Sequence, residues 1–178
     1  MELRPADIII TCDKNSLLSK AILGVLNFFQ KDEVRYQHTI LMINDAICIE
    51  ALNKITFNCI RTRLNDFKRY KIIRHTGLTD QQRMAIIDRA RSLRGLDYGY
   101  IRLGLQLLDQ IFSTNWFTRR IKDPNYQICS SLVAWCYDVE TGIRFNNINW
   151  SAVEPDDIDD ESLKTHTEFE TILEWEMS

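Results

Sequence analysis

Short β-branched apolar runs alternate along this chain with longer stretches of helical periodicity. Asp7-Ile-Ile-Ile-Thr-Cys12 follows Pro5 and reads as a buried strand. Asn15 or Ser16 can cap a helix reaching about Gln30, with Leu17, Leu18, Ile22, Val25, Leu26 and Phe29 on one side. So few basic residues flank it (Lys14, Lys20, Lys31) that packing into a core is favoured over lying on a membrane surface. Tyr36 to Ile43 and Ala46 to Ala51 are apolar runs separated by Asn44-Asp45, the pattern of a β-hairpin. Further strands are expected over Lys54 to Ile60 and Tyr70 to Arg74. Thr79-Asp-Gln-Gln82 has the form of a capping box, and the helix it opens runs to Arg94 and stops at Gly95. Met84, Ile87, Ala90 and Leu93 are its inward side.

Leu96-Asp-Tyr-Gly-Tyr100 leads into a second helix ending near Phe112, and Ser113 to Asn125 reads as a loop carrying Trp116 and Phe117. Tyr126 to Tyr137 is a strongly apolar helix between Asp123-Pro124 and Gly142. Then come a turn at Val153-Glu-Pro155, an acidic segment from Asp156 to Glu161 and a last strand over Glu168 to Trp175. The acidic segment suits the first turn of a short helix, where carboxylates meet the positive end of the dipole. A calcium loop is the alternative, but the glycine its sharp turn requires is missing.

Composition narrows the function classes. The 178 residues predict one domain, 1–178, with 45% apolar and 26% charged residues, an ordinary globular balance. A net charge of −3 gives no reason to expect a nucleic-acid partner. Five cysteines without a CxxC spacing argue against a zinc ribbon and for reduced thiols in a cytosol-like compartment. No metal and no cofactor is expected. No signal-type n-region opens the chain, and the longest apolar run, Ala21 to Phe29, is too short to cross a bilayer. The expectation is therefore no signal peptide, no integral membrane segment, and a cytoplasmic protein or one delivered by a phage or a lysis event.

Candidate chemistry centres on Cys129. A thiol in the first turn of a helix meets unpaired N–H groups and the positive dipole end, both of which favour thiolate. His38 starts the first hairpin strand and Glu50 nearly ends the second. Pairing about Asn44-Asp45 sets His38 opposite about Ala51, and a shift of one residue brings Glu50 beside it on the same face. A carboxylate beside an imidazole fixes its tautomer and supports the imidazolium. Nucleophile, base and orienting carboxylate are then Cys129, His38 and Glu50. A surface ion pair is the other reading of His38 and Glu50. Cys136 is expected in the core, Cys12 and Cys48 in strand packing, and His75 and His166 at the surface. Arg61, Arg63, Lys68, Arg69, Lys71 and Arg74 read as a solvated face, with an anion site as the alternative.

The order His, Glu, Cys and the motifs around them resemble the circularly permuted papain-like hydrolases. These are the NlpC-type superfamily in its permuted, YiiX-like branch, related to the lecithin–retinol acyltransferases. Ala6-Asp7-Ile-Ile stands where that family has Gly-Asp before its first strand. Gln37-His38-Thr39 matches its histidine segment, and Ile49-Glu50-Ala51 its polar third member. Ile72-Ile-Arg74 is similar to its next strand with a terminal arginine, and Gly95-Leu-Asp-Tyr98 to its Gly-x-x-Tyr-Asp. Ile128-Cys129-Ser130-Ser-Leu132 resembles its Tyr-Cys-Ser-x-Leu, and Glu154-Pro155-x-Asp157 its Pro-x-Asp-Leu. Ala6, Asp97-Tyr98 and Ile128 depart from the pattern. The resemblance implies an α+β fold of the permuted papain-like type, a small antiparallel sheet with the Cys129 helix packed on it. It also implies a cysteine peptidase or amidase that cuts an amide, often a peptidoglycan peptide, through an acyl-enzyme. Ser130, Asp7, Tyr98 and Tyr126 would supply oxyanion or substrate-lining groups. A lipid acyltransferase, phospholipase or thioesterase acting on an acyl substrate is the alternative, although the Asn-Cys-Glu-His motif of those relatives is absent. A non-catalytic binding module is the third.

Overall fold

The structure, a computed structural model, describes residues 2–13, 35–52, 54–96 and 129–177. The expected helix over 15–30, the second helix ending near Phe112 and the loop over 113–125 lie outside them, as do Tyr98 and Tyr126.

Six strands form one antiparallel sheet: β1 (Ile8–Asp13), β2 (His38–Met42), β3 (Ile47–Ala51), β4 (Ile55–Cys59), β5 (Phe67–His75) and β6 (Phe169–Glu176), in the order β4-β3-β2-β1-β5-β6. The helices among the described residues are α1 (Ile60–Leu64), α2 (Asp80–Ser92), α3 (Cys129–Thr141) and α4 (Pro155–Leu163). The architecture is α+β. The strand expected to reach Ile60 stops at Cys59, because Ile60 starts α1. The strand expected over Tyr70 to Arg74 is longer at both ends, Phe67–His75.

Both faces of the sheet are apolar, which is why β1 reads as an unbroken run of isoleucines rather than an alternation. Ile8, Ile10, Leu41, Ile49 and Ile73 pack with Ile86, Ile87 and Ala90 of α2 and Leu132 and Val133 of α3. Ile9, Ile40, Met42, Cys48, Phe67 and Ile72 form a second cluster with Ile60. Cys136 is fully buried in the first cluster and Cys48 in the second.

The helix ends follow the sequence signals. Thr79 Oγ1 accepts from Gln82 N (3.2 Å) and Gln82 Oε1 accepts from Thr79 N (3.0 Å), completing the capping box of α2. Gly142, at φ 74°, follows α3 in the left-handed region where a helix-terminating glycine belongs. Pro155 opens α4, and Asp157 accepts from Glu154 N at 2.8 Å. Ala6 adopts φ 64°, a left-handed conformation at the position where the resembled family carries glycine. The acidic segment is the first part of α4, and Asp159 on that helix forms a buried ion pair with Lys71 of β5.

His75 departs from expectation. It is buried rather than at the surface, edge-on to Phe169 with centroids 4.7 Å apart, and its Nε2 is 3.3 Å from Glu168. Burial pulls its pKa down. The end of β5 lies beside the aromatic cluster of Tyr137, Phe145 and Phe169, and that cluster covers the ring. His166 is exposed.

Candidate active site

His38 is the first residue of β2 and pairs with Thr11 of β1, while Gln37 N donates to Thr11 O at 2.9 Å. In the hairpin, Ile40 stands opposite Glu50 and Leu41 opposite Ile49. The register differs by one from the expected pairing of His38 with Ala51. His38 and Ile40 share a face because side chains alternate along a strand, so Glu50 is the diagonal neighbour of His38 on that face. The contact is direct: His38 Nε2 is 2.8 Å from Glu50 Oε2.

Glu50 has further partners. Asn58 Nδ2 donates to Oε1 at 2.8 Å, and Arg63 donates to Oε1 through Nε (2.7 Å) and to Oε2 through Nη2 (3.1 Å). The carboxylate is fully buried, and these four donors occupy the sites a carboxylate can offer. Arg63 is itself held by Asp66 at 2.6 Å and by the Phe67 ring, 5.0 Å from its centroid. Burial alone would raise the Glu50 pKa. Hydrogen bonds and charges from His38 and Arg63 overcome that and hold it at about 2.

Cys129 is the first described residue of α3 and is 6% exposed. Its sulfur lies 4.0 Å from the Gln37 carbonyl oxygen. Burial opposes ionisation of both the thiol and the imidazole, yet each is shifted towards its charged form. For His38, the Cys129 charge and hydrogen bonds to Cys129 and Glu50 raise the pKa to about 10. For Cys129, the imidazolium and backbone hydrogen bonds from Thr39 and Ser130 lower it. With Nε2 donating to Glu50, Nδ1 is the ring nitrogen left for the thiol. The arrangement favours a thiolate–imidazolium pair, with the Glu50 carboxylate held ionised behind it.

The other cysteines differ. Burial pushes Cys48 up to about 12, and burial also raises Cys136. Cys12 accepts a 3.5 Å contact from Gln37 Nε2. Cys59 is exposed, and backbone hydrogen bonds from Thr62 and Arg61 lower its pKa. It is the other thiol shifted towards thiolate, and its place at the junction of a strand and a short helix carries no sequence signal.

The remaining predicted site residues separate. Ser130 lies beside the thiol, but its hydroxyl donates to Val153 O at 2.6 Å and is not free for substrate; its backbone N–H faces the sulfur. Asp7 is not part of this site. It pairs with Arg74 through contacts of 2.8 and 2.7 Å, at the end of β1 remote from Thr11 and His38. At about 3.3 Å per strand residue that is roughly 13 Å away. Arg63 and Asn58 belong to the site although the sequence does not point to them. Arg63 was hidden in the run of basic residues, which reads as solvated because nothing in the sequence places it on Glu50. Next to the site, Gln37 Oε1 and Thr39 Oγ1 are buried and have no hydrogen-bond partner among the described residues.

Among the described residues, no group of three or more His, Cys, Asp or Glu side chains could hold a metal ion. Glu50 in particular is already saturated by donors. No helix among the described residues is long and apolar enough to cross a membrane.

No protein-family model and no curated protein matches the sequence. Among solved structures, the chain is similar to the metalloprotein YiiX from Escherichia coli O157:H7, with a TM-score of 0.57 and 19% identity over 97% of this chain and 89% of that one. At that identity the likeness is one of fold, and the chain has a YiiX-like α+β fold.

Proposed function

We propose that the protein is a cysteine-dependent hydrolase that cuts an amide bond through an acyl-enzyme on Cys129. The observation that carries this is the hydrogen-bonded chain Cys129–His38–Glu50, with both pKa shifts favouring the thiolate–imidazolium pair. The Cys129 thiolate attacks the carbonyl carbon, forming a C–S bond and a tetrahedral oxyanion. His38, already protonated, gives its proton to the departing amine as the C–N bond breaks. Water then attacks the thioester, His38 takes its proton, and the acid leaves as the thiolate returns. Glu50 keeps the imidazole oriented throughout. The family resemblance favours a peptide amide of the cell-wall type as substrate.

The test is rate-resolved alkylation with iodoacetamide, carried out in a Cys59→Ser background because Cys59 is exposed and activated. Cys129 is expected to react fastest of the remaining thiols, and His38→Ala is expected to slow it about tenfold or more at neutral pH as the thiol returns towards its ordinary pKa. Equal rates for Cys129 and Cys12 would end the nucleophile assignment. A parallel panel of peptide amides and acyl thioesters separates amide cleavage from lipid acyl transfer.

A further inference from the structure

The segment from Val153 to Asp156 touches both halves of the candidate site. Ser130, next to the nucleophile, donates its hydroxyl to Val153 O at 2.6 Å. Three residues on, the Asp156 carboxylate accepts two successive backbone N–H groups, Tyr36 N at 3.0 Å and Arg35 N at 3.2 Å. Those amides lie immediately before Gln37 and His38. Gln37 in turn reaches Thr11 O through its N–H at 2.9 Å. The chain that delivers His38 and the helix that delivers Cys129 are about ninety residues apart in sequence, and one short segment is bonded to each.

Most of the anchoring is buried. Val153 is fully buried, Ser130 is 1% exposed, and Tyr36 is 2% exposed. The helix behind Asp156 is fixed to the sheet by the buried pair of Lys71 and Asp159, and the Tyr36 hydroxyl donates to Glu174 at 3.1 Å. A carboxylate that accepts two adjacent amides fixes the direction of the strand entry as well as its position, because both oxygens are used.

We infer that Val153–Asp156 is a clamp that sets the separation of Cys129 and His38, with Ser130 and Asp156 as positioning residues. This rests on the proposed role of Cys129 and His38 as a reacting pair. Neither side chain is placed to touch substrate: the Ser130 hydroxyl is bonded to Val153 O and the Asp156 carboxylate to Arg35 N and Tyr36 N. Each acts through the group it holds: Asp156 through the backbone leading to His38, Ser130 through the first turn of α3. A small displacement of either arm lengthens the thiolate–imidazolium contact, and such misplacement weakens reaction far more than it weakens the fold.

The experiment follows alkylation of Cys129 by iodoacetamide from pH 5 to 10 in the Cys59→Ser protein, alone and with Asp156→Asn, Asp156→Glu, Ser130→Ala or Ser130→Thr. Thermal melting is measured on each protein. Asn offers one acceptor oxygen in place of two, and Ala removes the Ser130 donor. The expected result is that Asp156→Asn and Ser130→Ala move the inflection of the rate profile upward and cut the rate about tenfold at pH 7, above the value of about 6 to which burial pushes Asp156, at temperatures well below melting. Ser130→Thr, which keeps the hydroxyl, retains most of the rate. An unchanged profile in both Asp156→Asn and Ser130→Ala, in proteins that stay folded, overturns the clamp while leaving the hydrolase reading intact. A parent protein in which Cys129 shows no depressed inflection overturns the hydrolase reading itself. Should Asp156→Asn fail to fold, Ser130→Ala against Ser130→Thr decides the question alone.

Discussion

The charge state of His38 determines what Cys129 can do. The imidazole raised to about 10 and the thiol lowered both favour the ion pair in the neutral range. The alkylation rate of Cys129 is therefore expected to be flat from about pH 7 to 9, where a free thiol would gain nearly tenfold per unit until its pKa near 8.5. Arg63 sets the other end of the relay. A carboxylate depressed to about 2 from 4.5 contributes stability that is present above its unfolded value and lost as pH falls from about 4.5 towards 2. That shift is worth about 3 kcal/mol, shared between His38 and Arg63. In Arg63→Met the carboxylate remains buried with one cationic partner gone. We expect a loss of about 3 kcal/mol at pH 7 and a shallower decline of stability below pH 4.5, both read by urea denaturation at a series of pH values. A decline as steep as in the parent protein would show that Arg63 does not hold the Glu50 charge.

At the scale of elements, the local signals were the readable ones. Thr79 to Gln82 spells its capping box in four residues, and the Asn44-Asp45 turn sits between apolar runs, so α2 and the β2–β3 hairpin follow from the chain itself. Thr79 lies on an exposed helix end remote from Cys129, and Thr79→Ala is expected to cost about 1 kcal/mol in melting experiments without altering Cys129 reactivity. The hairpin register was legible only to within a residue, because the turn residues do not settle which backbone groups pair first. Here Asn44 Oδ1 accepts from both Ala46 N and Ile47 N, at 2.9 and 2.7 Å, and so shapes the turn. Asp7, expected from the resemblance to line the site, instead bonds Arg74, because an aspartate just before a first strand has the same sequence signature whether it serves a site or a salt bridge. Contacts of long sequence separation, such as Asp156 with Arg35 and Tyr36, left no trace in periodicity or spacing at all.

The whole molecule adds α4 to the sheet through Lys71 and Asp159, which are buried on β5 and on the helix respectively. Removing Asp159 leaves the Lys71 charge uncompensated in the interior, and removing Lys71 leaves Asp159 with the largely exposed Arg35 guanidinium at 3.8 Å. Lys71→Met and Asp159→Leu are each expected to cost about 3–5 kcal/mol, whereas the double variant recovers most of that loss, as measured in a double-mutant cycle of unfolding free energies. Additive costs would mean that the pair contributes packing alone.

Counted together, the thiolate, the imidazolium, the Glu50 carboxylate and the Arg63 guanidinium sum to zero, and the one further charge bonded to Arg63, that of Asp66, lies out in solvent at the far end. The four ionised groups sit in one contiguous row, yet among themselves they project little field towards an approaching molecule. Dissolved ions screen a net charge, and here there is little net charge to screen. Cys129 is thus expected to react with negatively charged iodoacetate and neutral iodoacetamide in a ratio that hardly changes between 0.02 and 0.5 M potassium chloride. In Arg63→Met the row carries one uncompensated negative charge, and the same ratio should climb with ionic strength as the repulsion of iodoacetate is screened.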